Sequence, residues 1–353
     1  MAEPLFINGR FLTQPMSGVQ RYAREIVRAL DRRPDAADRY VLLTPVGADD
    51  LQLTTLPVQT VPGGRGHLWE QTALAWAARH GRLLSLGGSA PVLHPRQVVV
   101  VHDAAVFRHP DHFRRGYATF HRTLGRLLAR CARLASVSEF SRQELAAVLN
   151  LSPSDITVAP NSADHLHDVT PDPAVIDSLD LTGRPYFVAL GNLTPNKNLA
   201  VAIRALARLT DPSIRLVLIG ARPSAIFDQP TIQTDPRLIF AGRRSDAEVA
   251  ALLGGARGLI FPSLYEGFGI PPLEAFVHGC PVIASDIAAT REVCADAALY
   301  FGPHDDATLA DHMTRLLTET DPARRDAGLR RAALYSWSRS AEILDDLLTS
   351  TWR

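Results

Sequence analysis

Short apolar runs alternate with amphipathic stretches from one end of the chain to the other. LFIN (5–8) precedes GVQRYAREIVRALD (18–31), whose apolar residues recur at helical spacing. YVLLT (40–44), LLSL (83–86), QVVVVHD (97–103), LASVS (134–138) and ITVAP (156–160) read as further strands. Helical patterns over 67–80, 114–133 and 139–149 separate them. The polar, proline-containing stretch NSADHLHDVTPDPAVID then breaks the alternation and reads as a linker. YFVALG (186–191), RLVLIG (215–220), RLIFAG (237–242), GLIFPS (258–263), PVIAS (281–285) and ALYF (298–301) repeat the strand pattern, with helices over 197–209 and 271–279. Strands alternating with helices predict parallel sheets built from right-handed crossovers. The expected fold class is therefore α/β, with two doubly wound, Rossmann-like domains divided at 168/169. Ligands of such sheets bind beyond the carboxyl ends of the strands. With two domains face to face, that places them in the cleft between.

Composition narrows the partners. A length of 353 residues suits two domains. The 37 basic and 37 acidic side chains cancel, which argues against nucleic acid as a partner. Residues 1–168 hold 19 basic and 15 acidic groups, 19 − 15 = +4, and the remainder holds 18 and 22, 18 − 22 = −4. The basic front half suits an anionic membrane surface or an anionic acceptor. Cys131, Cys280 and Cys294 show no paired spacing, as in a reduced, cytoplasmic protein. No apolar run approaches the ~20 residues that span a bilayer. HExxH, paired CxxC, GxxxxGK[ST] and GxSxG are all absent. His165, His167 and Asp168 are metal-ligand types, but they lie in the linker without a partner cluster, so no metal and no cofactor are expected.

The stretch FPSLYEGFGIPPLEAFVHGCPVIAS (261–285) carries the densest chemistry. A strand runs into a glycine-rich loop, and Pro271 and Pro272 suit the first turn of the helix that follows. Gly267 and Gly269 permit close backbone approach to a ligand, and the loop with its helix N-terminus suits a phosphate. Glu266 and Glu274, eight apart, offer carboxylates to sugar hydroxyls. Two solvated glutamates on a common strand-to-helix turn are the plain alternative. Lys197, in GNLTPNKNLA (191–200), is the single lysine among 36 arginines. It sits where a helix is expected to begin, and there the helix dipole favours an anion.

EGFGIPPLEA, with Glu266 and Glu274, resembles the signature of retaining, nucleotide-sugar-dependent glycosyltransferases of family 4, which have the GT-B fold. SGVQRYARE (17–25), VHD (101–103), SVSEFSR (136–142), GNLTPNKN (191–198), REVCADAALYFGPHD (291–305) and WSRSAEILDDLL (337–348) resemble other elements of that family, in the same order. The resemblance implies a GT-B arrangement of 1–168 for the acceptor and 169–336 for the donor, with 337–353 a helix crossing back to the first domain. It implies that Gly191, Asn192 and Lys197 form the phosphate-binding turn, although the arginine often found before the lysine is Asn196 here. It implies that Glu266, Gly267, Phe268, Gly269, Ile270 and Glu274 line the donor site, and that Arg243 lies in the loop beside the nucleobase. His102 would meet the transferred sugar, or simply bond a loop carbonyl. Gly18 would admit the diphosphate, or be a plain turn glycine. His102, Glu266 and Lys197 are the expected catalytic groups.

The expectation is a retaining hexosyltransferase with a nucleotide diphosphate sugar as donor substrate. NGRFLTQPMSGVQRYARE, HLWEQ and VHDAAVFRHPDHF look most like bacterial mannosyltransferases of surface polysaccharide assembly, which implies GDP-mannose. UDP-sugars, GDP-fucose and dTDP-rhamnose remain open. The acceptor would be a glycan or lipid-linked glycan, reached from the cytoplasm at the inner face of the cell membrane. A sugar-nucleotide epimerase or phosphorylase of the same fold, and a non-catalytic nucleotide-sugar-binding module, are the alternatives.

Overall fold

The apolar runs become the inner strands of two parallel sheets in the computed structural model, which describes residues 3–191, 194–220, 235–350 and 352. The chain divides into two units, Met1–Asn161 with Ser336–Arg353, and Ser162–Tyr335. The sequence pattern and the family resemblance place these crossings at 168/169 and 336/337.

The first unit holds β1 (Leu5–Asn8), β2 (Tyr40–Thr44), β3 (Val58–Thr60), β4 (Arg82–Ser85), β5 (Gln97–Val101), β6 (Arg133–Ser136) and β7 (Ile156–Val158). Their order is β3-β2-β1-β4-β5-β6-β7, with every pairing parallel. The second holds β8 (Tyr186–Leu190), β9 (Arg215–Ile219), β10 (Leu238–Gly242), β11 (Gly258–Phe261), β12 (Val282–Ser285) and β13 (Ala298–Phe301), in the order β10-β9-β8-β11-β12-β13, again all parallel. Both are doubly wound sheets. Strand order reverses between β1 and β4 in one and between β8 and β11 in the other, the points where such sheets take their ligands. Inner strands are buried on both faces, which explains runs such as VVV and FVA without polar alternation. Edge strand β3 is exposed along its length and has no apolar run to announce it.

Helices cover each sheet. In the second unit Leu199–Arg208 and Asp306–Thr318 pack with β8, β9 and β11 around Phe187, Leu216, Ile260 and Met313. In the first, Leu124 and Leu128 from helix Arg115–Cys131 meet Val99 and Leu134. The last helix, Trp337–Thr349, belongs to the first unit. Its buried Asp345 accepts from the Tyr40 hydroxyl at 2.7 Å and from Arg39 at 2.9 Å. Ser340 donates to the Pro160 carbonyl at 2.7 Å, and Trp337 lies edge-on to Tyr22. Among the described residues no helix is long and apolar enough to cross a membrane.

Candidate functional site

At the carboxyl end of β8 the chain turns at Gly191 (φ 141°), whose N–H donates to the Ile219 carbonyl at 2.9 Å. Asn192 lies outside the described residues. Lys197 does not enter a helix, as its position in the sequence suggested. It ends a 3-10 turn, Pro195–Lys197, and the helix proper starts at Leu199. Asn198 stands between them in the left-handed conformation (φ 49°), held by its side-chain amide on the Pro303 carbonyl at 2.6 Å. A left-handed residue cannot continue a right-handed helix. The lysine is thereby aimed across to the loop after β11.

That loop meets it. Lys197 Nζ donates to Glu266 Oε1, and the same oxygen accepts from Ser263 Oγ at 2.6 Å. The ammonium lies 5.3 Å from the centre of the Phe261 ring, within cation–π range. The Leu264 N–H bonds the Asn196 carbonyl at 2.8 Å, tying the two loops by their backbones. Buried Ser285, at the end of β12, donates to the Ser263 carbonyl at 2.6 Å and fixes the loop from below. Gly191, Lys197, Phe261 and Ser263 line one pocket at this point of order reversal.

Past Glu266 the loop turns inward. Gly267, Phe268, Gly269 and Ile270 are buried, and Phe268 rests edge-on against Tyr335, with ring centres 5.3 Å apart. Gly269 (φ 93°) caps helix Ile270–Val277, and a Cβ there would come within 3.0 Å of the Phe261 ring. Glycine is required for both reasons. Pro271 and Pro272 occupy the first turn as expected. They also remove two N–H groups, so the anion-binding capacity of this helix end falls to the backbone before Pro271. Glu274 is half-buried on that helix, one turn in.

Other expected residues stand apart from this pair. Arg243 is exposed after β10, whereas Arg244 is committed to the Ala241 carbonyl at 2.8 Å and Glu248 at 2.9 Å. Arg291 pairs with Asp286 at 2.6 and 2.7 Å. In the first unit Gly18 is the exposed first residue of helix Gly18–Asp31. His102 follows β5. Its Nε2 bonds the Leu86 carbonyl at 2.8 Å, and its ring meets Tyr22 edge-on at 4.9 Å. Burial pushes its pKa down to about 4, only partly offset by that hydrogen bond. The ring is a neutral imidazole at physiological pH, donating from Nε2 and presenting Nδ1 as an acceptor.

A second charged centre was not anticipated. Asn8, at the end of β1, donates to Glu70 Oε1 at 2.7 Å and to Ser85, at the end of β4, at 3.2 Å. Arg10 Nε and Ser89 Oγ reach the same oxygen at 3.2 and 3.0 Å, and His67 Nδ1 lies 3.1 Å from Oε2. Arg10 Nη2 donates to Ser89 at 2.6 Å. The Glu70 side chain is fully buried. Burial works to raise its pKa, but the bonds from His67, Asn8 and Ser89 and the Arg10 charge outweigh it and hold the carboxyl below its usual range. Gly9 makes the turn possible, because a Cβ there would come within 2.6 Å of the Leu43 carbonyl oxygen. Glu70 itself opens a π-turn, Glu70–Leu74, between helical segments Gly66–Trp69 and Ala75–Ala77. Trp69 is core, whereas Trp76, although at helical spacing from it, is exposed, with the Arg79 guanidinium stacked on it. Ser138 caps helix Glu139–Leu149 by accepting from the Ser141 N–H at 2.9 Å. No cluster of three or more histidine, cysteine or acidic side chains suited to a metal occurs among the described residues.

Known proteins bear on this geometry. Residues 16–165 match the family model Glycosyltransferase Family 4, and residues 184–319 match Glycosyl transferases group 1. O-antigen chain mannosyltransferase B of Escherichia coli is 28% identical over 257 residues, 69% of this chain and 67% of that protein. O-antigen chain mannosyltransferase RfbU of Salmonella typhimurium is 29% identical over 218 residues, 60% of this chain and 58% of that protein. Among solved structures, Anabaena Alr3699/HepE in complex with UDP and glucose superposes with a TM-score of 0.73 at 17% identity, over 99% of this chain and 100% of that one. The doubly wound pair of units is the GT-B fold.

Proposed function

The chain belongs to the glycosyltransferases built from a family 4 and a group 1 domain, and from that premise we propose that it moves a hexose from a nucleotide diphosphate sugar to a hydroxyl of a glycan. The donor we assign is GDP-mannose, the acceptor a glycan or lipid-linked glycan of a bacterial surface polysaccharide, and the outcome retention at the anomeric carbon. The two O-antigen mannosyltransferases among the relatives support the sugar and the setting. The work would be done in the cytoplasm, at the inner face of the cell membrane. A UDP-hexose is the second reading, favoured by the neighbour crystallised with UDP and glucose.

One observation carries the proposal: the only lysine of the chain is held by Glu266 at the point where the second sheet reverses its order. Without donor, the carboxylate occupies the cation. An arriving diphosphate carries more charge and more acceptor oxygens, so it displaces Glu266 from Lys197. The carboxylate stays tethered by Ser263 and becomes available to a sugar hydroxyl. When the anomeric bond breaks, negative charge grows on the departing diphosphate. Lys197 and the Gly267–Gly269 backbone would stabilise it, which is catalysis by preorganised charge. Glu274 orients the donor further along, Gly191 and Asn192 let the phosphates approach, and Arg243 flanks the nucleobase. No side chain is assigned as covalent nucleophile, so the acceptor hydroxyl attacks from the face the diphosphate leaves. Charge neutralisation is assigned to Lys197, and no metal is required by this scheme.

The test is a thermal-shift and donor-hydrolysis panel of GDP-, UDP-, ADP- and dTDP-sugars with the free nucleotides as controls. Selective stabilisation by GDP and GDP-mannose, with slow release of GDP, is the expected result. Stabilisation by no nucleotide would overturn the donor site.

A further inference from the structure

The Glu70 network supports something on its outer side. His67, anchored to Glu70 Oε2, lies with its ring centre 4.7 Å from Phe120 and 5.4 Å from His121. His121 lies 4.2 Å from Tyr117 and 5.1 Å from Phe120. Tyr117 and Phe120, on helix Arg115–Cys131, leave 51% and 43% of their surface in water. Two large rings are thus held at the surface by neighbours that could have been apolar and are imidazoles instead.

We propose that His67, Tyr117, Phe120 and His121 form a platform for one pyranose ring of the glycan acceptor. The inference rests on the glycosyltransferase reading above and adds to it the place and the chemistry of acceptor recognition. A pyranose has an apolar C–H face and a rim of hydroxyls. Exposed ring faces suit the first, and fixed imidazole nitrogens suit the second.

Charge argues for a neutral ligand. Arg10, the cation beneath the platform, is 8% exposed and spent on Glu70 and Ser89. Burial, with the charges of His67 and Arg10, pushes His121 down to about 4, so it offers a neutral ring at physiological pH. A phosphate or a lipid headgroup would find neither Arg10 nor His121 available as a cation there. The location agrees. Asn8 and Ser85 lie at the strand ends where the first sheet reverses its order. Burial and the Asp103 charge raise the Tyr117 pKa.

The experiment titrates the full chain with the methyl pyranosides of mannose, glucose, galactose, N-acetylglucosamine and rhamnose, while histidine and aromatic side-chain resonances are followed by NMR. GDP is titrated separately. At least one sugar is expected to move the His67, His121 and Phe120 signals. Phe120→Ala should weaken that sugar about two- to tenfold, the range of an aromatic contact, with GDP affinity unchanged. Phe120→Tyr should keep the affinity. If no pyranoside moves these signals up to its solubility limit, or Phe120→Ala binds as wild type does, the platform is wrong. Failure of GDP to bind would instead sink the donor reading, and the sugar titration would stand on its own.

Discussion

Two ion pairs occupy matching places in the two sheets, and they are built in opposite ways. Arg10–Glu70 and Lys197–Glu266 each sit at the carboxyl ends of the strands flanking an order reversal. Glu70 is 1% exposed and receives three further side chains. Glu266 is 13% exposed, its lysine 20%, and the further side chain on it is the Ser263 hydroxyl. A saturated, buried pair cannot exchange partners without leaving a charge stranded. A sparsely held, half-open pair can. The first is scaffold for what lies above it, and the second is a contact meant to be broken.

The sharpest way to break that comparison is Glu70→Ala. It strands the Arg10 guanidinium in the interior, and truncating one partner of a buried pair costs ~3–5 kcal/mol. Chemical denaturation should report that loss, and a loss under about 1 kcal/mol would erase the distinction. Acid should separate the units next. His102 and His121 take up protons near 6.5 when unfolded and only near 4 when folded, so the first unit loses stability as pH falls through that window. His102 alone accounts for roughly 3 kcal/mol. Hydrogen exchange across pH 7 to 4 should show the first unit opening ahead of the second. Lys197→Ala should do the reverse of Glu70→Ala. It changes stability by less than about 1 kcal/mol but removes a charged contact to donor worth ~1.5–3 kcal/mol, a roughly ten- to hundredfold loss of affinity by calorimetry. The smallest effect belongs to Glu266→Gln. Freed from its carboxylate, Lys197 should bind inorganic pyrophosphate a few-fold more tightly, while transfer falls because a carboxylate to the sugar is gone. Unchanged or weaker pyrophosphate binding would show that the pair is not an exchangeable one.

The same contrast explains what the sequence made legible. Lys197 and Glu266 stand out because glycines and prolines crowd around one of them and the other is unique in the chain. Glu70 has no such local signature. Arg10 and Ser89 are 79 residues apart, and only the sheet order brings them together. The strands were legible from their apolar runs, but several runs overshoot. Val137, Pro262 and Ser263 are buried yet lie beyond their strands, because the loops that carry the site are themselves packed. The left-handed Asn198 and the π-turn at Glu70 left no trace in the hydrophobic pattern, since each is set by a tertiary contact: the Pro303 carbonyl for one, Asn8, Arg10 and Ser89 for the other.

The first unit is also written in two pieces, and that affects how the chain is made. Asp345 binds Tyr40, and Arg82 binds the Leu348 carbonyl, so the opening strands are finished by residues 305 and 266 positions further along the chain. Ser162–Tyr335 is one continuous stretch of chain. On a translating ribosome, where domains fold as units when they emerge, the unit encoded second is completed first. The one encoded first waits, with Tyr22 and Tyr40 uncovered, until Trp337–Thr349 arrives.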